Sequence, residues 1–223
     1  MRKVIFAILI STLFFSCKKD KNTATPNFNY NYANLKVGKY VIYNVDSITF
    51  NDFTGTVDTS KFQIKEVLAS NYTDLEGDNA FKIIRYKKDI DSLTWVLTDV
   101  WDCKITTRTY EKVVENVRYI KMIFPIRLNQ TWNGNSKNNL GNLTYEFTSV
   151  HQPEVIGGNA LDSVSTVLQN DNINLVQEEY AEEKFAANIG LVYKKNISKI
   201  RSDLSSPWSG YDVTMTLLTY GNN

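Results

Sequence analysis

Histidine and cysteine are scarce in this 223-residue chain, which contains one histidine and two cysteines. A Ser-His-Asp triad or a histidine-based metal site would therefore have to use His151. This residue lies in a Val-His-Gln-Pro sequence that is typical of a strand end entering a turn. No nucleophile-elbow sequence accompanies it. We therefore expect an exposed turn histidine, with no catalytic residue, metal or cofactor.

The chain also has almost no net charge, because the formal value is only +1 at pH 7. Removal of residues 1–16 would leave 23 basic and 24 acidic residues. Proteins that bind nucleic acids or anionic surfaces usually carry an excess of positive charge. The near-neutral composition gives no reason to expect either of them.

Long hydrophobic runs are limited to the N-terminus. Two basic residues precede residues 4–15, which are apolar apart from Ser11 and Thr12. The run is shorter than the roughly 20 apolar residues of a membrane-spanning helix. A basic start, a short apolar run and a small residue, Ser16, predict a secretory signal peptide over residues 1–16.

Cys17 follows the small residue directly, and the junction resembles a bacterial lipobox, where the cysteine is acylated and becomes the N-terminus. The sequence Ser-Cys-Lys-Lys-Asp closely resembles the lipoproteins of Bacteroidota-type bacteria. Two or more acyl chains anchor a protein stably, because each buried CH₂ contributes about 0.8 kcal/mol. The resemblance implies a lipid anchor at Cys17, in the outer membrane. Residues 18–21 lack an acidic run that resembles a surface-export signal, which favours the periplasmic face.

Cys103 is the second cysteine, and lipidation of Cys17 leaves it without a partner in the chain. The sequence therefore has no disulfide framework. Cys103 lies in an aromatic-rich stretch, and free cysteines are among the most buried residues. We expect it to be a small buried hydrophobe.

The mature chain divides into a tether and one domain. Residues 18–34 are rich in Asn and Lys and have no periodic apolar face, which is typical of a flexible segment. We interpret residues 17–34 as the lipidated N-terminus and its tether. Residues 35–223 form a single β-rich domain of ordinary size.

The domain consists of runs rich in β-branched and aromatic residues, bounded by Asn, Asp and Gly, which are typical of strands. We predict an all-β fold, a single antiparallel sheet curled into a half-barrel or open barrel, with at most a short helix. Residues 129–142 contain six Asn and two Gly and predict a long loop. The predicted strands are 40–50, 62–68, 81–86, 93–101, 113–124, 143–150, 163–169, 174–180, 191–200 and 211–220.

One stretch, 178–188, is ambiguous because it is composed of good helix formers. Strand-like neighbours on both sides favour a strand to about Lys184, followed by a tight connection through residues 186–190. A short helix ending at Asn188 is the alternative.

Three turn-forming segments resemble a type of small Bacteroidota lipoprotein, some members of which have the open barrel of the lipoprotein carriers LolA and LolB. The resemblance implies a fold and a compartment, and it carries no catalytic residue onto this chain. The segments are 35–43, 124–126 with 131–135, and 187–193.

Acidic groups are candidates for glycan hydrolysis or calcium binding. The densest acids, Glu178-Glu179 and Glu182-Glu183, alternate between the two faces of a strand, and we expect a solvated face. Asp89, Asp91 and residues 74–78 are weak candidates for calcium.

Tryptophans are the candidate ligand contacts. Trp95 and Trp101 are six residues apart, so on an uninterrupted strand they would share a face, either in the core or on a concave ligand site. Trp132 and Trp208 lie in loop-like sequences and are the better candidates for exposed contacts. Three Asp-Ser-apolar sequences, at Ser47, Ser92 and Ser163, resemble the O-glycosylation sequon of Bacteroidota.

Three functions remain open. The first is a non-enzymatic envelope module that binds a ligand on the concave sheet face, with an apolar or lipid-like ligand ranked above a glycan. The second is a carboxylate-based glycan hydrolase. The third is a structural or assembly partner with a flat aromatic patch near Trp132 and Trp208.

Overall fold

The computed structural model describes residues 27–222, and most of them lie in twelve β-strands. One 3₁₀ helix, Tyr30–Tyr32, precedes the strands. The strands are β1 (Lys39–Asn51), β2 (Thr56–Thr73), β3 (Asn79–Asp89), β4 (Val96–Ile105), β5 (Thr109–Val114), β6 (Val117–Ile123), β7 (Thr131–Asn133), β8 (Thr144–Ile156), β9 (Asn159–Ile173), β10 (Gln177–Ala186), β11 (Gly190–Ile200) and β12 (Ser209–Asn222).

All twelve strands form one antiparallel sheet, in the order β6-β5-β4-β3-β2-β1-β12-β11-β10-β9-β8-β7. The edge strands β6 and β7 are consecutive in the chain, and the curled sheet brings them together. The Ile120 amide donates to the Gly134 carbonyl at 2.9 Å, and the Trp132 indole N–H donates to the Ile120 carbonyl at 2.9 Å. The sheet is therefore nearly closed into a barrel, which confirms the predicted fold class.

The predicted strand 113–124 is wrong, because the chain reverses within it between β5 and β6. Glu115 and Asn116 form the turn, with φ angles of 51° and 64°. A two-residue hairpin turn of this kind needs a positive φ at both central residues, and glutamate rarely adopts one. The Glu-Asn pair was consequently too weak a turn signal to interrupt an apolar run.

The favoured interpretation of 178–188 is confirmed, since β10 runs to Ala186 and the helix alternative is wrong. Strands β9 and β11 pair with β10 on both sides. Phe185 and Ala186 of β10 are both buried, each in a separate apolar cluster. Packing of this strand therefore overrides the helix propensity of its residues.

Residues 27–34 pack against the barrel rather than extending from it, which moves the end of the predicted tether toward the N-terminus. Tyr32 is 1% exposed, and its hydroxyl shares hydrogen bonds of 2.6 Å with His151 Nδ1 and Ser163 Oγ. His151 is itself exposed, as expected, but the predicted turn is wrong, because β8 continues through this residue, which has a φ of 56°. Burial of the tyrosine offsets the entropy cost of ordering an Asn-rich segment.

The predicted signal peptide, Cys17 and the start of the tether lie outside the described residues. Within residues 27–222, no helix has both the length and the apolar character needed to cross a membrane.

The core fills the end of the barrel at which the N-terminal segment enters. A cavity beside this segment, next to Tyr43 and Glu66, measures about 50 Å³. Ligand pockets typically measure about 300–1,000 Å³, so this space is too small for an acyl chain. The main cluster of buried core residues comprises Tyr32, Ala33, Phe81, Ile83, Cys103, Tyr110, Met122, Phe124, Ile126, Tyr145, Phe147, Val167 and Phe185.

Candidate ligand-binding site

A layer of paired charges lies inside the barrel, beyond the apolar core. Its first carboxylate, Glu66 on β2, contacts Arg85 Nε at 3.1 Å and Lys112 Nζ at 2.9 Å. The Arg85 guanidinium also lies 3.7 Å from the centre of the Trp101 ring. All of these groups are largely buried, so each charge is stabilised mainly by its partners.

The second carboxylate of the layer is Glu183 on β10, which is 3% exposed. Lys121 Nζ lies 2.8 Å from it, Lys194 Nζ lies 3.7 Å away, and Gln169 Nε2 donates a hydrogen bond at 2.9 Å. Glu183 therefore contradicts the expectation of a solvated acidic run. Strand alternation turns it toward the core, where the curvature of the sheet provides three partners.

The two carboxylates of the charged layer, Glu66 and Glu183, have lowered pKa values and are ionised at neutral pH. Burial alone would raise the pKa of Glu66, but Lys112 and Arg85 outweigh burial and lower it. Lys121 and Lys194 outweigh burial in the same way and lower the pKa of Glu183. Burial lowers the pKa of Lys121 to about 8, although Glu183 opposes this shift.

Thermal stability is expected to fall as the pH drops below about 4.5, the ordinary pKa of a glutamate. The unfolded chain takes up protons near that pH, whereas Glu66 and Glu183 stay ionised to lower pH in the fold. The stability they contribute is therefore complete above pH 4.5 and is lost as the pH falls through their folded-state pKa values. Unfolding followed by circular dichroism between pH 7 and pH 3 measures this effect, and a constant Tm below pH 5 would contradict it.

Beyond the charged layer, strand register places a second set of side chains on the same face of the sheet. Directly opposite residues in antiparallel strands point to the same side. Glu183 belongs to a row with Val45, Met215 and Lys194. Two further rows follow at two-residue intervals away from the core: Ser47, Val213, Asn196 and Ala181, then Thr49, Tyr211, Ser198 and Glu179.

These two outer rows form a surface that we call the polar trough. Exposure increases along it, from the buried charged row to Tyr211, which is 39% exposed. Asn196 Nδ2 donates to the Tyr211 hydroxyl at 3.3 Å, and Ser198 Oγ donates to Glu179 Oε1 at 2.8 Å. On β1, β12, β11 and β10, the open half of the concave face is therefore lined by hydroxyl, amide and carboxylate groups around an exposed aromatic ring, with Val213 and Ala181 as the apolar members.

The structure separates the two tryptophans that were expected to share a face. Trp101 lies in the charged layer, stacked on Arg85. Trp95 precedes β4, which begins at Val96, and its ring lies 5.2 Å from Lys88 Nζ. Only Trp101 contributes to the concave face, because the strand that would align the pair starts after Trp95.

Trp132 and Trp208 are not free exposed contacts. Trp132 is half-buried in β7, and its ring packs against Tyr145 and Phe147 at centroid distances of 5.9 and 4.8 Å. Trp208 is also half-buried, with the Arg201 guanidinium 4.4 Å from its ring centre. The edges of the curled sheet meet at Trp132, which is why a loop-like sequence becomes a packed strand.

The weak calcium candidate at residues 74–78 is filled by a side chain of the protein. Lys104 Nζ contacts Asp74 at 2.7 Å and Asp78 at 2.9 Å, and it also contacts Glu76. The ammonium group takes the central position that a cation would need. Cys103 is buried at 3% exposure, as predicted, and burial raises its pKa to about 12.

Sequence reasoning did not identify the polar trough, and it singled out only Glu179 and Ser47 among its residues, Glu179 as a candidate acid and Ser47 as a glycosylation sequon. Each residue of the trough lies on a strand that was predicted, but no local motif marks Asn196 or Tyr211 as a ligand contact. Only the pairing of β1 with β12, which are far apart in sequence, aligns them with Ser47 and Thr49. A correct register between these two strands would have been the signal that found them.

Comparison with solved structures found distant similarities. A Bacteroides fragilis protein described as exported, with a YmcC-like fold, aligns over 82% of this chain and 97% of its own, at 10% identity and a TM-score of 0.42. Lipovitellin, from a structure of lipid–protein interactions, aligns over 84% of this chain and 26% of its own, at 8% identity and a TM-score of 0.39. A Vibrio parahaemolyticus domain described as an outer membrane lipoprotein-sorting protein aligns over 83% and 86%, at 13% identity and a TM-score of 0.21. No family model matches the sequence and no curated protein matches it, so functional interpretation depends on this chain's own residues.

Proposed function

We propose that this protein is a lipid-anchored binding module of the bacterial envelope that holds a glycan in the polar trough. The observation that carries the proposal is the polar lining of the open half of the concave face. The sequence favoured an apolar or lipid-like ligand on that face over a glycan. The filled core and the hydroxyl and amide groups of the outer rows support the reverse order.

The trough offers the chemistry that a sugar requires. Sugar hydroxyls donate and accept hydrogen bonds, and the Asn196 amide and the Ser and Thr hydroxyls do both. The Tyr211 ring presents an apolar surface to the C–H groups of a sugar and a hydroxyl to its polar edge. An apolar ligand would leave these polar groups without partners, at a cost of about 1–3 kcal/mol for each one buried.

Binding is favoured over hydrolysis by the state of the buried carboxyl groups. A glycosidase needs one carboxylic acid that keeps its proton near neutral pH, which requires a raised pKa. The pKa values of Glu66 and Glu183 are lowered instead. We therefore propose that the protein is not an enzyme.

The anchor and the compartment rest on the N-terminal sequence. The signal-like residues 1–16 and the lipobox-like Cys17 support attachment to the outer membrane through lipid. The periplasmic face is favoured by the absence of an acidic run after Cys17.

Replacement of Tyr211 by alanine is expected to weaken glycan binding about tenfold, because stacking of an aromatic ring contributes about 0.5–1.5 kcal/mol beyond the area it buries. The mature chain from residue 17, carrying Cys17→Ser to avoid the lipid, is screened on an array of bacterial oligosaccharides. Isothermal titration calorimetry then compares the variants on a glycan that binds.

The matched control for this experiment is Tyr220→Ala. Tyr220 lies on the same strand, at the opposite end of the barrel, and is 46% exposed. The Tyr220→Ala variant should bind the glycan with the same affinity as the parent chain. The opposite result is saturable binding of dodecyl maltoside below its critical micelle concentration, with no binding of any free oligosaccharide. This result would contradict the glycan and favour a lipid-like ligand.

A further inference from the structure

A groove of about 650 Å³ lies at the end of the barrel where the N-terminal segment enters. It is separate from the polar trough, which opens at the opposite end. We call it the N-terminal groove. Its lining residues are Phe28, Tyr30, Thr107, Arg108, Phe124, Pro125, Arg127 and Gln130.

One wall of the groove is a fixed aromatic stack. The ring of Phe28 is parallel to that of Tyr30 within 9°, with the centroids 5.5 Å apart. Tyr30 meets the edge of Phe124 at 4.9 Å, and its hydroxyl donates to the Thr107 carbonyl at 2.9 Å. The groove is therefore preformed, with an apolar wall that is partly open to solvent.

The other groups of the groove are two arginines, Arg108 and Arg127, both exposed. Among the described residues, neither guanidinium has a hydrogen bond or an ion pair. By contrast, Arg85 and Arg118 pair with carboxylates, and Arg201 donates to backbone carbonyls. No acidic residue lines the groove, so the two positive charges are available to an anion.

A neutral polar residue, Gln130, also lines the groove. Gln130 Oε1 is buried and accepts no hydrogen bond from the described residues. Because this oxygen is shielded from solvent, it is not presented to a ligand in the groove, and the two arginines remain the polar groups that a ligand can reach. A phosphate ester offers an anion to the two arginines.

The N-terminal groove lies at the end of the barrel that a lipid on Cys17 would hold near the membrane. Residue 27, where the described chain begins, is ten residues after Cys17. An extended chain spans at most about 3.6 Å per residue, so a lipid on Cys17 would keep this end of the barrel within about 36 Å of the bilayer. This step relies on the lipid anchor of the proposed function.

We propose that the N-terminal groove binds the phosphate headgroup of an anionic phospholipid in the bilayer that holds the anchor. Each arginine near an anionic surface contributes about fivefold to binding, and the two together contribute about thirtyfold. The contact orients the barrel on the membrane, with the polar trough facing away from it.

The test uses the processed lipoprotein in nanodiscs of phosphatidylcholine alone or with 30% phosphatidylglycerol. Hydrogen exchange of the backbone amides of residues 106–108 and 127–130 is measured by mass spectrometry. Phosphatidylglycerol is expected to slow this exchange at least tenfold, and the double variant Arg108→Gln/Arg127→Gln should remove the slowing. Unchanged exchange in the core strands verifies that the variant is folded.

The matched control is Lys61→Gln/Lys87→Gln, which removes the same charge at the far end of the barrel and should leave the slowing intact. Equal exchange in both kinds of disc, or equal slowing in the arginine variant, would overturn the inference. Slowing by inorganic phosphate in phosphatidylcholine discs would assign the groove to free phosphate and overturn the lipid assignment. Retention of the protein in phosphatidylcholine discs tests the lipid anchor, and glycan titration tests the polar trough. Failure of the proposed function can therefore be distinguished from failure of the N-terminal groove to bind phospholipid.

Discussion

Replacement of Cys17 by serine is expected to abolish acylation of the protein. Serine lacks the thiol that forms the thioether to diacylglycerol, so neither this step nor the later N-acylation of the new N-terminus can follow. Each acyl CH₂ contributes about 0.8 kcal/mol to membrane binding. The variant is therefore expected to lose the contribution of every acyl chain to membrane binding, which is the largest effect expected of any single substitution.

Metabolic labelling with palmitate and mass spectrometry of the N-terminal peptide measure this result. The matched control is Cys103→Ser, which removes the only other cysteine. Cys103 is buried, and burial raises its pKa to about 12, so its thiol is not a nucleophile at neutral pH. This control should keep the full label. Label persisting in Cys17→Ser, or an unmodified N-terminus in the parent protein, would refute the anchor.

Replacement of Glu183 by glutamine is expected to lower the free energy of unfolding by about 3–5 kcal/mol, the cost of breaking a buried ion pair. The amide keeps the shape of the side chain, so the effect reports charge rather than packing. The Lys121 ammonium, 2.8 Å from the carboxylate in the parent protein, would be left buried beside a neutral group. The loss should be smaller at pH 9 than at pH 6, because deprotonation of Lys121 removes the uncompensated charge.

Urea denaturation of a double-mutant cycle checks this interpretation. Adding Lys121→Met to Glu183→Gln should restore most of the lost stability, since an apolar residue replaces the stranded charge. The surface pair of Lys61 and Asp46, whose side chains are 68% and 56% exposed, provides the comparison. Asp46→Asn should change the stability by no more than about 1 kcal/mol. An equal loss of unfolding free energy for Glu183→Gln and Asp46→Asn would show that the buried ion pair stabilises the fold no more than the exposed one.

Much of the fold was predictable because strands leave a local signature. Apolar and β-branched runs bounded by Asn, Asp and Gly located most strands, and the neighbours of 178–188 indicated the correct structure for that segment. The predictions were wrong where a tertiary contact determines the local structure. The turn at Glu115-Asn116 has no strong local code, and Tyr32 lies in an Asn-rich segment that looks like a tether until a barrel is present to bury it.

The sequence alone determined the all-β class, the antiparallel arrangement and the expectation of a lipid anchor at Cys17. These depend on local patterns: alternation of side chains, turn residues and a short N-terminal signal. Only the tertiary structure decided that Glu183 is buried, that Trp132 is packed and that Arg108 and Arg127 share a groove despite a near-neutral composition. The reason is that β1 pairs with β12 and β6 meets β7. Which distant residues share a face is set by register and sheet curvature, and neither property is written in any short segment of the chain.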